Sequence, residues 1–232
     1  MKKKIIENLK TIIYALIIAL LIRSFFFQPF FIPSSSMEPN LLIGDRLFAS
    51  KYAYGYSRHS LPFSPNFTNK RLLRKEPNRG DVIIFKTPTD NRTDYIKRLI
   101  GLPGDIIQII NGDLYLNNKK IARRKINISR KILCGSRQLN VYAYEETLPN
   151  GKKYIAVYDM YASIQNTKQY YVPKDHYFFM GDNRDCSKDS RFLGSVSFLN
   201  LVGEANIIFF SRDGTKKLSK SFRMDRFFKK IK

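Results

Sequence analysis

The sequence predicts a mostly β protein, an antiparallel β domain preceded by one N-terminal transmembrane helix. Three observations support this prediction: an apolar stretch follows a basic start, short β-type runs recur after Pro33, and turn residues separate those runs. The chain has 232 residues, 44% of them hydrophobic and 26% charged. This composition fits one folded domain, or one domain with an insertion, and argues against a disordered chain.

The N-terminal stretch has the most uneven composition. Three lysines and then Lys10 precede residues 11–22, which contain no charge, and a phenylalanine cluster follows Arg23. The uninterrupted run is shorter than the about 20 residues needed to span hydrocarbon. A buried core helix, a cleaved signal peptide and an uncleaved anchor all remain open. We favour an anchor over residues 11–27, because Lys10 and Arg23 can reach the two membrane surfaces and no small-x-small cleavage site follows.

The basic start also predicts the orientation of this anchor. Lysines next to a membrane span favour the cytoplasmic side, so residues 1–10 are expected to be cytoplasmic and the rest of the chain outside. The basic body does not oppose this orientation, because long domains translocate largely regardless of their charge.

The body of the chain reads as short strands with few helices. The predicted strands are Asp81–Phe85, Tyr95–Ile100, Asp105–Ile110, Leu114–Leu116, Tyr154–Tyr158, Tyr170–Val172, Tyr177–Met180 and Ala205–Phe210. Asn111-Gly112 and Asn150-Gly151 are typical hairpin turns, which favours antiparallel pairing. Residues 57–78, rich in Ser, Pro and Asn, are predicted to form a loop.

Charge and the rarity of metal-ligating residues narrow the classes of function. Lys and Arg number 41 against 19 Asp and Glu, and a net charge of +22 favours anionic partners, either nucleic acid or anionic lipid. The chain has two cysteines and two histidines: Cys134, Cys186, His59 and His176. These numbers exclude a zinc–cysteine site and a disulfide framework, and we expect no metal and no cofactor.

Two segments are denser in polar residues than a β core requires. Residues 33–39 read Pro-Ser-Ser-Ser-Met-Glu-Pro, where prolines restrict the backbone and three serines bring hydroxyl and N–H groups together. Alone, this segment also fits a serine-rich linker. Residues 181–191 combine Gly, Asp, Arg, Ser and Lys, and their alternating charges also fit a solvated ion-pair loop.

A third segment, residues 94–105, places a lysine inside a predicted strand. Because side chains alternate along a strand, Lys97 lies between Tyr95 and Leu99 on one face. Burial on that apolar face and the nearby positive charge of Arg98 would both lower the lysine pKa toward neutral pH. A surface lysine whose stem covers apolar area fits the same pattern.

Taken together, these three segments resemble, in content and order, the type I signal peptidases, which are membrane-anchored serine–lysine endopeptidases. The resemblance covers nearly the whole chain and includes Leu-Leu-Ile-Gly-Asp at 41–45 and Arg-Gly-Asp-Val at 79–82. It implies an antiparallel β-sheet catalytic domain with a smaller inserted β region, since the chain is shorter than many members. The implied boundaries are 28–106 and 173–211 for the catalytic domain, 107–172 for the insertion and 212–232 for a basic tail.

The resemblance also implies roles for individual residues. Ser36 would be the nucleophile and Lys97 the general base, which fits the need of a serine hydroxyl for an adjacent base. The Ser34 hydroxyl and the Ser36 backbone N–H would form an oxyanion hole, and Ser187 would orient the lysine by a hydrogen bond. The residues implied to support the site are Asp182, Arg184 and Arg98. A Ser-His-Asp triad through His176 is the weaker alternative, because the family requires no particular residue there.

Substrate, partners and location follow from the same resemblance. Ile32, Pro33, Tyr95 and Ile96 resemble positions that line shallow pockets for small residues at −1 and −3 of the substrate, although alone each also fits ordinary core. The implied partners are preprotein signal peptides at the membrane surface, with anionic lipid and no nucleic acid. The implied location is the bacterial inner membrane, crossed once.

The chain departs from the family at several positions near the last motif. Cys186 stands where Asn is common, and Leu193 and Ser195 replace common aromatic residues. The two cysteines do not reproduce the close pair of some members, which argues against a disulfide between them. None of these departures affects Ser36 or Lys97.

Two rival functions fit part of the sequence. A self-cleaving repressor of the SOS type shares a Ser–Lys dyad, but it needs a helix-turn-helix domain where this chain has about 33 mostly apolar residues. A membrane-anchored, nucleic-acid-binding β protein would explain the net charge, but the sequence carries no recognisable binding signature.

Overall fold

The computed structural model describes residues 2–62, 64–65, 70–215, 217 and 221–231. A long helix, α1 (Lys2–Phe25), precedes a body of short strands, as expected for a mostly β chain. The strands are β1 (Phe27–Phe31), β2 (Asp45–Ser50), β3 (Val82–Lys86), β4 (Asp94–Gly101), β5 (Ile106–Ile110), β6 (Asp113–Leu116), β7 (Lys119–Lys120), β8 (Ala122–Ile126), β9 (Ile132–Cys134), β10 (Arg137–Leu139), β11 (Val141–Thr147), β12 (Lys153–Asp159), β13 (Tyr170–Tyr171), β14 (His176–Met180), β15 (Val196–Ser197), β16 (Leu201–Ser211) and β17 (Lys229–Lys230). A short helix, α2 (Ser190–Leu193), lies between β14 and β15, and 3₁₀ turns cover Lys51–Ala53, Arg58–Ser60, Arg184–Cys186, Phe198–Asn200 and Met224–Arg226.

Most of helix α1 does not pack into the body, which it contacts at its end through buried Ser24 and through Phe25 against Tyr56. Within Lys4–Phe25, an 18-residue stretch has a mean hydropathy of 2.1 and is 0% buried, which excludes the buried-core interpretation. The helix runs from Lys2 to Phe25 rather than over residues 11–27, because straight-chain lysines continue a helix well. Its 22-residue segment Lys4–Phe25 is long and apolar enough to cross a membrane.

The main sheet is antiparallel and holds eight of the described strands. Their order is β1-β2-β16-β3-β4-β14-β15, with β17 paired to β16. The central strand β16 shifts register against both of its long neighbours, β2 and β3, and such bulges bend and twist a strand. Strand β4, which carries Lys97, therefore lies inside the sheet between β3 and β14.

Both faces of the main sheet are covered by apolar side chains. One cluster joins Ile32, Met37 and Leu41, which flank the serines, to residues of β2, β3 and β16. The opposite cluster contains Phe85 and Leu99 together with residues of β14 and β16. The serine segment is therefore fixed to one face of the sheet by the burial of its own apolar neighbours.

The strands between Ile106 and Tyr171 pair among themselves. They form the groups β13-β5-β6-β7 and β12-β11-β8 and the hairpin β9-β10. A further cluster packs Ile107 and Leu116 against Ile100, Phe178 and Met180 of the main sheet. The two regions thus share a core, and the division into a catalytic domain and an inserted region stays a prediction.

All eight predicted strands are present, with bounds that differ by one to a few residues. The strands that the sequence did not indicate include β8 and β1, whose first residue, Phe27, was assigned to the anchor. The pattern Ala-Arg-Arg-Lys-Ile of β8 shows no alternating apolar face, but its arginines lie opposite Glu145 and Glu146 of β11. In the predicted loop 57–78, the described part contains a 3₁₀ turn and a bridge between Tyr56 and Leu72, and residues 63 and 66–69 lie outside the described residues.

Candidate active site

The serine segment forms a tight turn between β1 and β2. The Ser35 carbonyl accepts a hydrogen bond from the Glu38 N–H at 3.0 Å, and the Met37 carbonyl accepts one from Leu41 at 2.9 Å. Because Met37 and Leu41 are fully buried, the turn cannot slide along the sheet. Ser36 is left almost buried, whereas Ser34 is exposed.

Lys97 points from β4 directly at Ser36. Its Nζ lies 2.6 Å from Ser36 Oγ and 2.9 Å from the Ile96 carbonyl oxygen. The Lys97 side chain is buried, with 4% of the residue exposed, and its Nζ lies 5.4 Å from the centre of the Tyr95 ring. A hydroxyl and an amine at this distance can exchange a proton directly.

The position of Lys97 lowers its pKa from 10.5 to about 8. Burial is the main cause, the carboxylates of Asp189 and Asp182 oppose it, and the positive Arg191 adds to it. The prediction that Arg98 contributes was wrong in this respect, because the Arg98 charge is balanced by Asp182 in a bidentate pair. A substantial share of Lys97 is therefore neutral near pH 8.

Ser34 reaches the same point from the other side of the turn. Its Oγ lies 3.3 Å from Ser36 Oγ. Within the described residues the Ser36 backbone N–H donates to no carbonyl or side chain. One hydroxyl and one free N–H therefore flank the Ser36 oxygen, and this is the donor pair that an oxyanion hole needs.

Ser187 is buried beside the dyad, but it does not hydrogen-bond Lys97 in this structure. Its Oγ has no hydrogen-bond partner among the described residues. The side chain instead packs on Gly181, where an added Cβ would lie 2.2 Å from Ser187 Oγ and 2.5 Å from the Ser36 carbonyl oxygen. The lysine-orienting role of Ser187 stays a prediction.

Buried ion pairs hold the 181–191 segment against the sheet. Arg98 donates from Nε and Nη2 to the two Asp182 oxygens at 2.7 and 2.8 Å, and Asn40 donates to Asp182 at 2.7 Å. Arg184 pairs with Glu146 at 2.6 Å, and both side chains are 1% exposed. The three residues expected to support the site are thus structural members of two such pairs.

The sequence did not single out Glu146 or Asp189, although both belong to this frame. Glu146 also accepts hydrogen bonds from the Tyr154 and Tyr158 hydroxyls. Asp189 accepts from the Gly181 N–H at 2.9 Å and pairs with Arg191 at 2.8 Å. Asp189 lies inside the segment 181–191 but was given no role of its own, and nothing in the sequence linked Glu146 to Arg184.

Ser36 and Lys97 open into a cleft of about 370 Å³ that lies along β1 and β4. The four predicted pocket residues, Ile32, Pro33, Tyr95 and Ile96, all line this cleft. The other lining residues are Phe30, Phe31, Ser34, Ile84, Thr93, Asp94, Cys186 and Lys188. The cleft is therefore largely apolar, with the two hydroxyls and the amine at one end.

Cys134 and Cys186 form a disulfide, so the expectation against a bond between them was wrong. Their Cα atoms are 5.5 Å apart across a sequence separation of 52 residues. The β9-β10 hairpin brings Cys134 there, because Leu133 accepts a bond from Asn183 at 2.9 Å and donates one to Glu38 at 2.9 Å. Such long-range pairing of a hairpin with a loop leaves no local trace in the sequence.

No histidine contacts Ser36 in the described structure. The His176 ring bonds the Lys174 carbonyl at 2.9 Å, and the His59 ring bonds the Ser64 hydroxyl at 3.0 Å. The described residues also contain no group of three or more His, Cys, Asp or Glu side chains that could hold a metal ion.

Sequence comparisons with known proteins agree on one family. A family model described as "Signal peptidase, peptidase S26" matches residues 5–210. The chain is 40% identical over 220 residues to the Signal peptidase I of Rickettsia typhi, covering 90% of this chain and 81% of the relative. It is 43% identical over 209 residues to that of Rickettsia conorii, covering 85% and 77%. A solved signal peptidase I from Enterococcus faecalis V583 aligns with a TM-score of 0.33 and 26% identity, covering 56% of this chain and 97% of that one.

Proposed function

The chain belongs to the S26 family of signal peptidases, serine endopeptidases that act on preprotein signal peptides, and from this premise we propose that Ser36 and Lys97 are its catalytic dyad. The observation that carries the proposal is the 2.6 Å contact between buried Lys97 Nζ and Ser36 Oγ. Both groups end in the apolar cleft, so an extended peptide lying there brings its scissile bond to the hydroxyl.

In the proposed acylation step, neutral Lys97 takes the proton of the Ser36 hydroxyl while the oxygen attacks the carbonyl carbon of the −1 residue. The ammonium then gives that proton to the departing amine of the mature protein. The Ser34 hydroxyl and the Ser36 N–H stabilise the oxyanion, each contributing about 3 kcal/mol.

Deacylation repeats the same proton transfers with water. Lys97 takes a proton from a water molecule, which attacks the acyl carbon on Ser36 Oγ. The signal peptide leaves with a new carboxyl end, and Ser36 recovers its proton from the ammonium. One base thus serves both half-reactions, as in other serine hydrolases.

The lining of the cleft supports our proposal that the chain cleaves after small residues. Ile32, Pro33, Tyr95 and Ile96 close the space next to Ser36 with rigid or branched side chains. A site enclosed in this way accepts Ala, Gly or Ser at −1 and −3 and excludes larger side chains.

The location that we propose is the bacterial inner membrane. Helix α1 is apolar and long enough to cross once, and it begins with lysines, which favours a cytoplasmic N-terminus and an outer catalytic body. Protease added to cells whose outer membrane has been removed and whose inner membrane is intact should then degrade the body and spare the N-terminal residues.

The dyad is tested with the full-length chain in detergent and a peptide carrying Ala-x-Ala before the scissile bond. Ser36→Ala should show no turnover, and Ser34→Ala should lower kcat by about 100- to 1,000-fold, because it removes one oxyanion donor. Replacing the −1 Ala of the peptide with Leu should stop cleavage.

Ser35→Ala is the matched control. Its hydroxyl lies 3.6 Å from Cys186 Sγ and not in the cleft, so turnover should stay close to that of the unchanged chain. Turnover by a folded Ser36→Ala chain would rule out this nucleophile, and equal losses in Ser34→Ala and Ser35→Ala would refute the oxyanion role.

A further inference from the structure

A second cavity, of about 270 Å³, lies between the end of α1 and the substrate cleft. Asp94 lines both cavities, so they are neighbours. In contrast to the cleft, the lining of this second cavity, which we term the basic pocket, is mostly polar and charged. Its charged residues are Arg23, Lys51, Lys86, Arg92 and Asp94.

Lys51 is the buried base of the basic pocket. It is 2% exposed, and its ammonium donates to the carbonyl oxygens of His59 at 3.2 Å and Ser60 at 2.7 Å. No carboxylate of the described chain pairs with it, and an ammonium has a third N–H to donate. Burial and the positive Arg23 lower its pKa to about 8, so Lys51 is still mostly charged at neutral pH.

The arginines of the pocket are also without an anionic partner. Among the described residues, neither the Arg23 nor the Arg92 guanidinium makes a hydrogen bond or an ion pair. Lys86 differs, because Asp94 lies 2.9 Å from its Nζ and balances its charge. His59 adds no charge, since burial lowers its pKa to about 4. Three positive groups, Arg23, Lys51 and Arg92, therefore face one cavity whose one carboxylate, Asp94, is paired with Lys86.

We propose that the basic pocket binds the phosphate of an anionic phospholipid headgroup. Guanidinium and ammonium groups are the usual partners of phosphate, and basic pockets beside membrane helices bind lipid headgroups. Arg23 lies in the last turn of α1, and exposed Phe25 and Phe26 follow it, so the pocket lies at the height of a membrane surface. The inference rests on the membrane placement of α1 proposed above.

A lipid bound there would also border the substrate path. The basic pocket meets the cleft at Asp94, and Gln28 and Phe30 of the same strand line the pocket and the cleft respectively. The headgroup would thus fix the height of the cleft relative to the membrane, where the signal peptide emerges.

The test is native mass spectrometry of the full-length chain in detergent, titrated with dioleoylphosphatidylglycerol. We expect one tightly bound lipid per chain. Arg92→Gln should weaken this binding by about tenfold, the effect of one lost charge-assisted contact. The matched control is Arg124→Gln, which removes the same charge from a side chain that is 75% exposed on β8, and it should bind like the unchanged chain.

Two further probes distinguish the source of the phosphate. Phosphatidylcholine should bind more weakly, and inorganic phosphate should compete only at much higher concentration. Equal weakening of lipid binding by Arg92→Gln and Arg124→Gln would overturn the proposal. It would also be overturned if inorganic phosphate bound as tightly as phosphatidylglycerol. The readout needs no turnover, so a chain that binds lipid but does not cleave peptide would refute only the proposed function.

Discussion

Lys97 must be neutral before it can accept the proton of Ser36, and its position decides the pH at which this happens. An exposed lysine is almost wholly protonated at neutral pH. In this chain burial lowers the Lys97 pKa to about 8, even though two nearby carboxylates oppose the change. The neutral fraction therefore rises as the pH increases from 7 to 9.

We predict that kcat/KM for an Ala-x-Ala peptide rises with pH and levels off above about 8, the pKa of Lys97. Lys97→Arg should be inactive at every pH, because a guanidinium does not lose its proton in a protein. A pH series of initial rates with both chains checks this. His176→Ala is the control and should leave the profile unchanged, and a profile lost only in that variant would contradict the dyad.

Gly181 is predicted to matter through the space it leaves. An added Cβ would lie 2.2 Å from Ser187 Oγ and 2.5 Å from the Ser36 carbonyl oxygen, so Gly181→Ala must displace the dyad. A shift of about 1 Å in reacting groups costs about 100-fold in rate. We expect that loss in kcat with the fold retained by circular dichroism. Gly214→Ala, where no atom of the described residues lies within 4 Å, is the control and should be fully active.

At the scale of elements, strand β11 supports the site through one buried carboxylate. Glu146 holds Arg184, and both are 1% exposed. Burial raises the Glu146 pKa, but the charge of Arg184 and two tyrosine hydroxyls outweigh it, and the pKa ends below 4.5. The stabilisation is therefore complete above pH 4.5 and decreases as the pH falls through the lower folded value.

We predict that Glu146→Gln lowers the free energy of unfolding by about 3–5 kcal/mol, because it leaves Arg184 buried without a counter-charge. The neighbouring Glu145 provides the control, since its pair with Arg124 is at the surface at 3.2 Å. Glu145→Gln should cost at most about 1 kcal/mol. Urea unfolding of the three chains measures both values, and similar costs would show that β11 does not act through this pair.

The Cys134–Cys186 disulfide connects the β9-β10 hairpin to the loop before Ser187 across 52 residues. A cross-link of this separation restricts the unfolded chain, and we predict that replacing both cysteines with Ala lowers stability by about 2–4 kcal/mol. Reduction with dithiothreitol should destabilise the unchanged chain by a similar amount. The same treatment of the double variant should change nothing, and a shift there would mean that the reductant acts elsewhere.

At the scale of the whole molecule, local patterns predicted what local forces determine. The strands around Lys97 and Phe179 were predicted because their apolar alternation is driven by burial on each face. Ser36 and Lys97 were recognised together only through the resemblance to a family, since a sequence separation of 61 conceals their contact. The short motifs around Ser36 and Lys97 thus indicated a serine–lysine site, and the fold shows how the two side chains meet.

What the sequence could not predict depends on pairing between distant segments. The basic strand β8 is stable only opposite acidic β11, Cys134 meets Cys186 through a hairpin, and Arg191 rather than Arg98 acts on the lysine. The phenylalanines after Arg23 show the same limit in another form. The sequence placed Phe27 at the end of the anchor and indicated no strand after it, but backbone pairing with β2 makes a strand of Phe27–Phe31.

That strand leads to a prediction about membrane association without α1. Phe25, Phe26 and Phe31 are 41%, 52% and 55% exposed, and the Lys51 N–H bonds the Phe26 carbonyl at 2.9 Å, so the body itself fixes these rings. A chain that begins at Ser24 should therefore stay folded and still sediment with vesicles. Burying one exposed phenylalanine ring is worth about 1.5–3 kcal/mol, so Phe26→Ser in that chain should weaken vesicle binding at least about tenfold. Phe192→Ser, which removes a 61% exposed ring outside this cluster, is the matched control. If the chain from Ser24 did not bind vesicles, or if both substitutions weakened binding equally, α1 alone would hold the protein at the membrane.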